Sequence, residues 1–187
     1  MNATLMDPTT ETAPAAAPAS VLTTRPDWNH ADVPAWFAER QTTAWETFES
    51  LPMPSKKDEH WRFADLKKLD LAAFVAGEGF EGKDATAAIS RSVGVPNPAA
   101  RLVVGNDLLL RSDVSATGVT VLPLREALRT HGELIAKHFM AQPAALGGEK
   151  FQALHAAALK GGIFVHVPAG VEVERPIELH QWLGGIN

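Results

Sequence analysis

A chain of 187 residues with 17 Lys and Arg against 22 Asp and Glu carries a formal net charge of −5, and 45% of its residues are hydrophobic. That length suits one ordinary domain, or one domain with part of another, and the apolar share is enough for a packed core. The absence of cysteine excludes disulfides, thiolate ligation of metals or clusters, and thiol nucleophiles, while the acidic balance counts against a general nucleic-acid-binding surface.

No targeting signal stands at the start. The first basic residue is Arg25, so no charged segment precedes an apolar one, and no run approaches a membrane span. A cytoplasmic location is the default expectation. Residues 1–26 are rich in Ala, Pro and Thr, with Pro8, Pro14 and Pro18 punctuating them. Such a tail cannot bury enough surface to offset its ordering entropy and is expected to be disordered.

The first helix is expected to begin near Asp32, a capping residue, with Pro34 close to its first turn. Phe37, Trp45 and Phe48 recur at helical spacing, with Ala38, Ala44 and Leu51 beside them, and Pro52 and Pro54 end the element. Residues 54–66 form a dense charged stretch around Trp61 and Phe63. It reads as a solvated turn pinning the first helix, or as a docking epitope built on Trp61 and Arg62, residue types enriched at binding hot spots.

Residues 77–100 read as a long Gly-, Ala- and Pro-rich connection, and Arg101–Val104 and Leu108–Leu110 as strands joined by the turn Gly105-Asn106-Asp107. A short strand follows over Val119–Leu122. The span Pro123–Met140 has helical pattern, with Leu124, Leu128, Ile135 and Phe139 inward and Gly132 a point of division. A further helix covers Glu149–Lys160, with Phe151, Leu154, Ala158 and Leu159 inward, and stops at Gly161-Gly162. The remainder alternates as strands over 163–167, Val171–Glu174 and Ile177–Trp182 with turns between, a pattern suggesting a β-solenoid or sandwich.

Little in this sequence carries chemistry. Gly77–Lys83 contains G-x-G-x-x-G and approaches a phosphate loop, but Asp84 stands where Ser or Thr is needed to hold magnesium. Glu78, Glu81 and Asp84 would repel a phosphate, so a flexible acidic loop is the better reading. Seven histidines are present, none in a close metal-ligand spacing. His131 and His138 share a face only if their helix is continuous; His166 and His180 lie on separate strands and could converge. No catalytic, cofactor-binding or metal-ligating residue is assigned, and the chain is expected not to be an enzyme.

Two segments carry a family resemblance. The run Leu51-Pro52-Met53-Pro54-Ser55-Lys56-Lys57-Asp58-Glu59-His60-Trp61-Arg62-Phe63-Ala64-Asp65-Leu66 resembles the LP-x-x-K/R-x-E-x-W-K/R-Y/F-T-x-L stretch of the SufD branch of the SufB/SufD family, with Ala64 in place of the usual Thr. Lys150–Ala157, Gly161–Val171 and Glu174–Ile177 are similar to that family's F-x-A-L-N-x-A, G-x-F-I-x-V-P-x-G-V and E-x-P-I motifs, with His155 in place of Asn. The resemblance covers about residues 28–187. The SufB branch shares the second segment but not, in general, the first.

The resemblance implies a subunit of the SUF iron–sulfur cluster assembly system. Its fold would be an N-terminal α+β region, a right-handed parallel β-helix and a helical C-terminal region. SufD proteins pair with a SufB-like scaffold through their β-helices and engage a SufC-like ATPase mainly through the C-terminal region. They act as scaffolds and help acquire iron. The residues tied to cluster assembly lie in later rungs, so none transfers to a position here, and no cofactor is expected to be bound by this chain. The expected organisation is α+β: a mainly helical domain over 27–160 with short strands, and over 161–187 the first rungs of a truncated β-helix. A chain ending there would leave an unpaired apolar-backed edge, so a fragment is expected. The rival readings are a nucleotide-binding enzyme using Gly77–Lys83 and a self-contained β-solenoid or sandwich module binding protein or carbohydrate.

Overall fold

The computed structural model describes residues 22–64, 66, 69–74, 80–145 and 147–184. Within them the chain is mixed α and β. Most of the tail expected to be disordered, residues 1–21, lies outside the described residues; Leu22 packs against a buried aromatic cluster, and the Arg25 guanidinium lies over the Trp28 ring at 4.9 Å.

Helix α1 spans Ala35–Ser50 and opens later than expected. Pro34, not Asp32, is the N-cap: its fixed φ of −61° suits helix entry, and its carbonyl accepts from the amides of Phe37 and Ala38. The helix stops because Leu51, preceding Pro52, is held in extended conformation. Its buried stripe is Phe37, Gln41, Trp45 and Phe48. The polar member fits because its amide donates to the carbonyls of Leu159 at 2.8 Å and Ala157 at 3.3 Å, satisfying the end of helix α5 (Glu149–Ala158). Trp28 donates to the same Ala157 carbonyl at 2.8 Å.

The α1–α5 contact forms one core cluster, Trp45 and Phe48 against Ala153, Leu154 and Ala157. The inward face of α5 is turned from the expected one: Lys150, Ala153, Leu154 and Ala157 are buried, while Phe151 and Leu159 are half-buried. A second cluster joins Phe37 to Ala127, Leu128 and Ile135 of helices α3 (Leu124–Thr130) and α4 (Gly132–His138). The helical span expected over 123–140 is divided into these two helices, the division that Gly132 suggested. The break is at His131, whose φ of −130° ends the first helix before Gly132 opens the next. His131 and His138 therefore lie on different elements.

The connection expected over 77–100 holds helix α2, Gly82–Arg91. Only Ala88 of it is buried, so a dominant apolar stripe was lacking in the sequence, and good helix formers between Lys83 and Arg91 decide the matter. Gly77–Gly79, half of the glycine-rich decoy, lies outside the described residues.

Strand β1 (Ala100–Gly105) pairs antiparallel with β2 (Leu108–Val114) through a tight turn in which Asn106 takes φ 50°. It pairs on its other side, in parallel, with β5 (Ile177–Trp182). Strands β3 (Thr120–Pro123) and β4 (Ile163–His166) form a separate antiparallel pair. Val171–Glu174 is not a strand. The Val171 amide bonds back to the Pro168 carbonyl at 3.1 Å, and the Val171 side chain lies on Gly118, so the segment is spent on a turn and a contact. The described residues show no closed sheet and no solenoid.

Candidate functional site

Strand alternation sorts β5 into two faces. Glu178, His180 and Trp182 point toward α2 and the segment following it. Trp182 Nε1 donates to Ser92 Oγ at 2.9 Å, and Glu178 accepts from the Val95 amide at 2.6 Å and from Arg101 Nε at 2.7 Å. Arg101 completes a ring by donating to the Val95 carbonyl at 2.6 Å. A Cβ at Gly94 would fall 2.1 Å from the Glu178 carboxylate, so any side chain there would push the carboxylate out of this ring of hydrogen bonds.

The Val95 amide first, and the Arg101 guanidinium second, hold the Glu178 carboxyl below its ordinary value of 4.5. A group with a depressed native pKa adds stability above its unfolded value and loses it as pH falls through the native one. Glu178→Gln is therefore expected to lower the urea midpoint at neutral pH. The difference from the parent should shrink steadily below pH 4.5; a gap independent of pH would mean that the charge is not what closes the clasp.

Ile177, Leu179 and Gln181 face the other way. Leu179 stays 55% exposed and lines, with Val104, His155 and Ile163, a cavity of about 270 Å³ between the end of α5, the β1–β2 turn and the start of β4. Val165 and Val167 are also exposed, as is Leu183. The outer edge of β5 and the free edge of β4 carry no partner strand among the described residues. Two sheet edges backed by uncovered apolar side chains are surfaces on which further strands can be added.

A second surface lies in the charged turn. Of the two aromatics in this stretch, one turns inward and the other outward. Trp61 is half-buried: its Nε1 donates to the Gly147 carbonyl at 2.9 Å, and its ring meets Phe151 with centroids 5.5 Å apart. Gly147 takes φ +75°, and a Cβ there would meet the indole at 2.8 Å, so both backbone and space demand glycine. Phe63 is 88% exposed. The Arg62 guanidinium stands 4.6 Å above its ring and also bridges Glu59 at 2.9 Å. No local pattern marks which aromatic faces out, because both follow basic residue types in one irregular segment.

The histidines do not form a centre. The ring of His131 meets Phe164, which in turn stacks toward His166. His180 sits on the other sheet, its Nε2 buried without a hydrogen-bond partner and 3.8 Å from Glu178. His138 is exposed. Among the described residues no three His, Asp or Glu side chains converge in a way that could hold a metal ion, and no helix is long and apolar enough to cross a membrane.

Comparison with known proteins places this arrangement. The family model described as the SufBD protein N-terminal region matches residues 27–179. The chain is 31% identical over 154 residues to the iron–sulfur cluster assembly protein SufD of Bacillus subtilis (strain 168), covering 78% of this chain and 34% of that protein. It is 37% identical over 71 residues to an iron–sulfur cluster assembly SufBD family protein of Mycobacterium tuberculosis (strain ATCC 25618 / H37Rv), 38% of this chain and 8% of the relative. Against SufB of B. subtilis (strain 168) the identity is 31% over 71 residues, 38% of this chain and 15% of SufB. The chain thus spans about a third of the length of the SufD protein it matches.

Proposed function

The chain belongs to the SufBD family, whose N-terminal region it matches over residues 27–179, and from that premise we propose that it serves as a SufD-like scaffold subunit in iron–sulfur cluster assembly. The similarity to SufD over 154 residues, against 71 for SufB, carries the reading. The iron–sulfur cluster is the complex's product, and this chain supplies no thiolate toward it. Its role is to hold shape: a SufB-like partner supplies the second scaffold and a SufC-like ATPase the energy, while this chain itself is not an enzyme. The setting is the cytoplasm.

The open edges of β5 and β4 support the finer architecture. In the proposal, β5, already parallel to β1, begins a right-handed parallel β-helix, and residues 161–187 belong to that second unit. Leu179, Val165 and Val167 become interior when the next rungs stack on them, as solenoid cores are made by neighbours rather than within one repeat. The clasp of Glu178, Arg101 and Val95 would then fix the register of the first rung against the α+β domain.

The test is co-expression of the tagged chain with the SufB-like and SufC-like proteins of its own organism. Stoichiometric co-purification through size exclusion is the expected result. A chain that elutes without either partner, while those two still associate with each other, would overturn the reading.

A further inference from the structure

His180 has a chemistry that a purely structural strand does not need. It lies between Glu178 and Trp182 on the face of β5 turned toward α2 and the segment after it. Both of those neighbours are committed, Trp182 to Ser92 and Glu178 to Val95 and Arg101. The Nε2 of His180 is not: it is buried without a hydrogen-bond partner and stands 3.8 Å from Glu178 Oε2. That separation is too long for a hydrogen bond, and a buried nitrogen left without one is costly. The side chain as a whole is 25% exposed, so solvent reaches it without unfolding.

Two neutral states are open to the ring, and neither suits this position. With the proton on Nδ1, the Nε2 lone pair faces a carboxylate oxygen; with the proton on Nε2, the donor is uncharged and its acceptor lies beyond bonding distance. The imidazolium suits it better, because a charged N–H then faces a carboxylate. Glu178 remains ionised throughout the range in which imidazole takes up a proton, since the Val95 amide first and Arg101 second hold its carboxyl below its ordinary value of 4.5. Its Oε2 accepts from Arg101 Nε and has a second lone pair to offer. The other charges on this face come from neighbouring strands. Arg101 and the uncharged Val103 of β1 lie opposite Glu178 and His180, and Asp113 and Arg111 of β2 continue the same two rows. Arg111 and Asp113 are bridged at 2.6 Å, and both are about half exposed. The segment Val93–Val95, against which this face packs, brings no charge, and Arg91 at the end of α2 is exposed. Two guanidiniums thus oppose a further cation and two carboxylates favour it, with Glu178 adjacent to Nε2.

We propose that His180 is a proton-operated latch: as the imidazolium it donates from Nε2 to Glu178 Oε2, adding a third donor to the clasp and holding β5 more firmly against β1 and residues 92–95. The latch rests on the fold and is independent of the proposed role in cluster assembly. The unfolded chain offers the ring no such carboxylate, so the folded chain binds the proton more readily. The stability gained in this way is fully present below the ordinary histidine value of about 6.5 and is lost as pH rises and the ring gives up its proton. Glu178 acts in the opposite sense at lower pH, where its carboxylate is protonated below 4.5 and the clasp opens. The clasp is therefore tightest between the two titrations.

Urea unfolding of the full chain and of His180→Gln, from about pH 8 to about pH 5.5 to bracket the imidazole range, reads the latch. Glutamine has no proton to gain there. The folding constant of the parent relative to the variant is expected to rise about twofold to fivefold toward the lower pH, the size of a partly exposed ion pair. In a Glu178→Gln background the same comparison should show no pH dependence. NMR of the imidazole supplies a measurement that needs no substitution at His180: its titration in the folded protein should move to lower pH when Glu178 is replaced by Gln. A parent-to-variant ratio that is constant with pH overturns the proposal. So does a ratio that falls toward lower pH, which would assign the ring a neutral role, or a dependence that persists without the Glu178 carboxylate. If His180→Gln does not fold, the NMR titration decides, and a ring that titrates alike with and without the carboxylate overturns the latch.

Discussion

Trp45→Ala is expected to lower the unfolding free energy by about 3–5 kcal/mol, the range for removing a fully packed aromatic side chain. Trp45 is 3% exposed and lies at the centre of the α1–α5 contact, its ring 5.3 Å from Phe48 and enclosed by Ala153, Leu154 and Ala157. Leu22, Trp28 and Leu71 close the cluster from outside. The backbones of α1 and α5 hold Ala153, Ala157 and their neighbours in place, so the space vacated by the indole closes only in part and a cavity term adds to the lost burial. In a chain of this size the loss corresponds to a fall in Tm of roughly 10 °C. Phe63→Ala, also an aromatic truncation, should stay within about 0.5 kcal/mol of the parent because the ring is already in water. Thermal denaturation of the two variants side by side checks both. A Trp45 variant that melts with the parent would mean that α1 and α5 are not held through this cluster.

That contrast shows where the sequence was readable. Phe37, Trp45 and Phe48 sit at helical spacing, and a periodic stripe is averaged over several residues, so the core face of α1 was legible. Gln41 was not, since its place in the stripe depends on carbonyls more than a hundred residues away. Trp61 and Phe63 occupy an irregular segment with no period to average. Only the approach of Gly147 and Phe151 decides which one turns inward. The β1–β2 hairpin was clear because its turn chemistry is local. Pairing of β1 with β5 was invisible because the two are joined across more than seventy residues and parallel register leaves no local mark. The same holds for the Glu178 clasp. Alternation along Ile177–Trp182 put Glu178 and His180 on one face, but the partner at Arg101 and the glycine at 94 belong to another part of the chain.

Lys150 is the sharpest case of a residue whose role only the fold reveals, and its removal is the second large effect expected. A lysine in the first turn of α5 would ordinarily be solvated; here it is buried, and its Nζ donates to the Phe48 carbonyl at 2.6 Å and to the Leu51 carbonyl. Phe48 belongs to the last turn of α1 and Leu51 is its C-cap, where carbonyls have no partner within the helix and lie at the negative end of its dipole. The ammonium also stands 4.2 Å from the centre of the Phe48 ring. The cation thus compensates its own desolvation with acceptors, dipole and ring, with no carboxylate paired to it among the described residues. Lys150→Ala should cost about 2–4 kcal/mol, combining the lost donors with the lost stem packing. Lys150→Met keeps the stem and should recover part of that, leaving about 1–2 kcal/mol for the unmet carbonyls. The order parent, Met, Ala in urea-unfolding free energy is the expected result. If Met equals or exceeds the parent, the buried ammonium is a net burden, and the C-terminus of α1 is held by the Trp45 cluster alone.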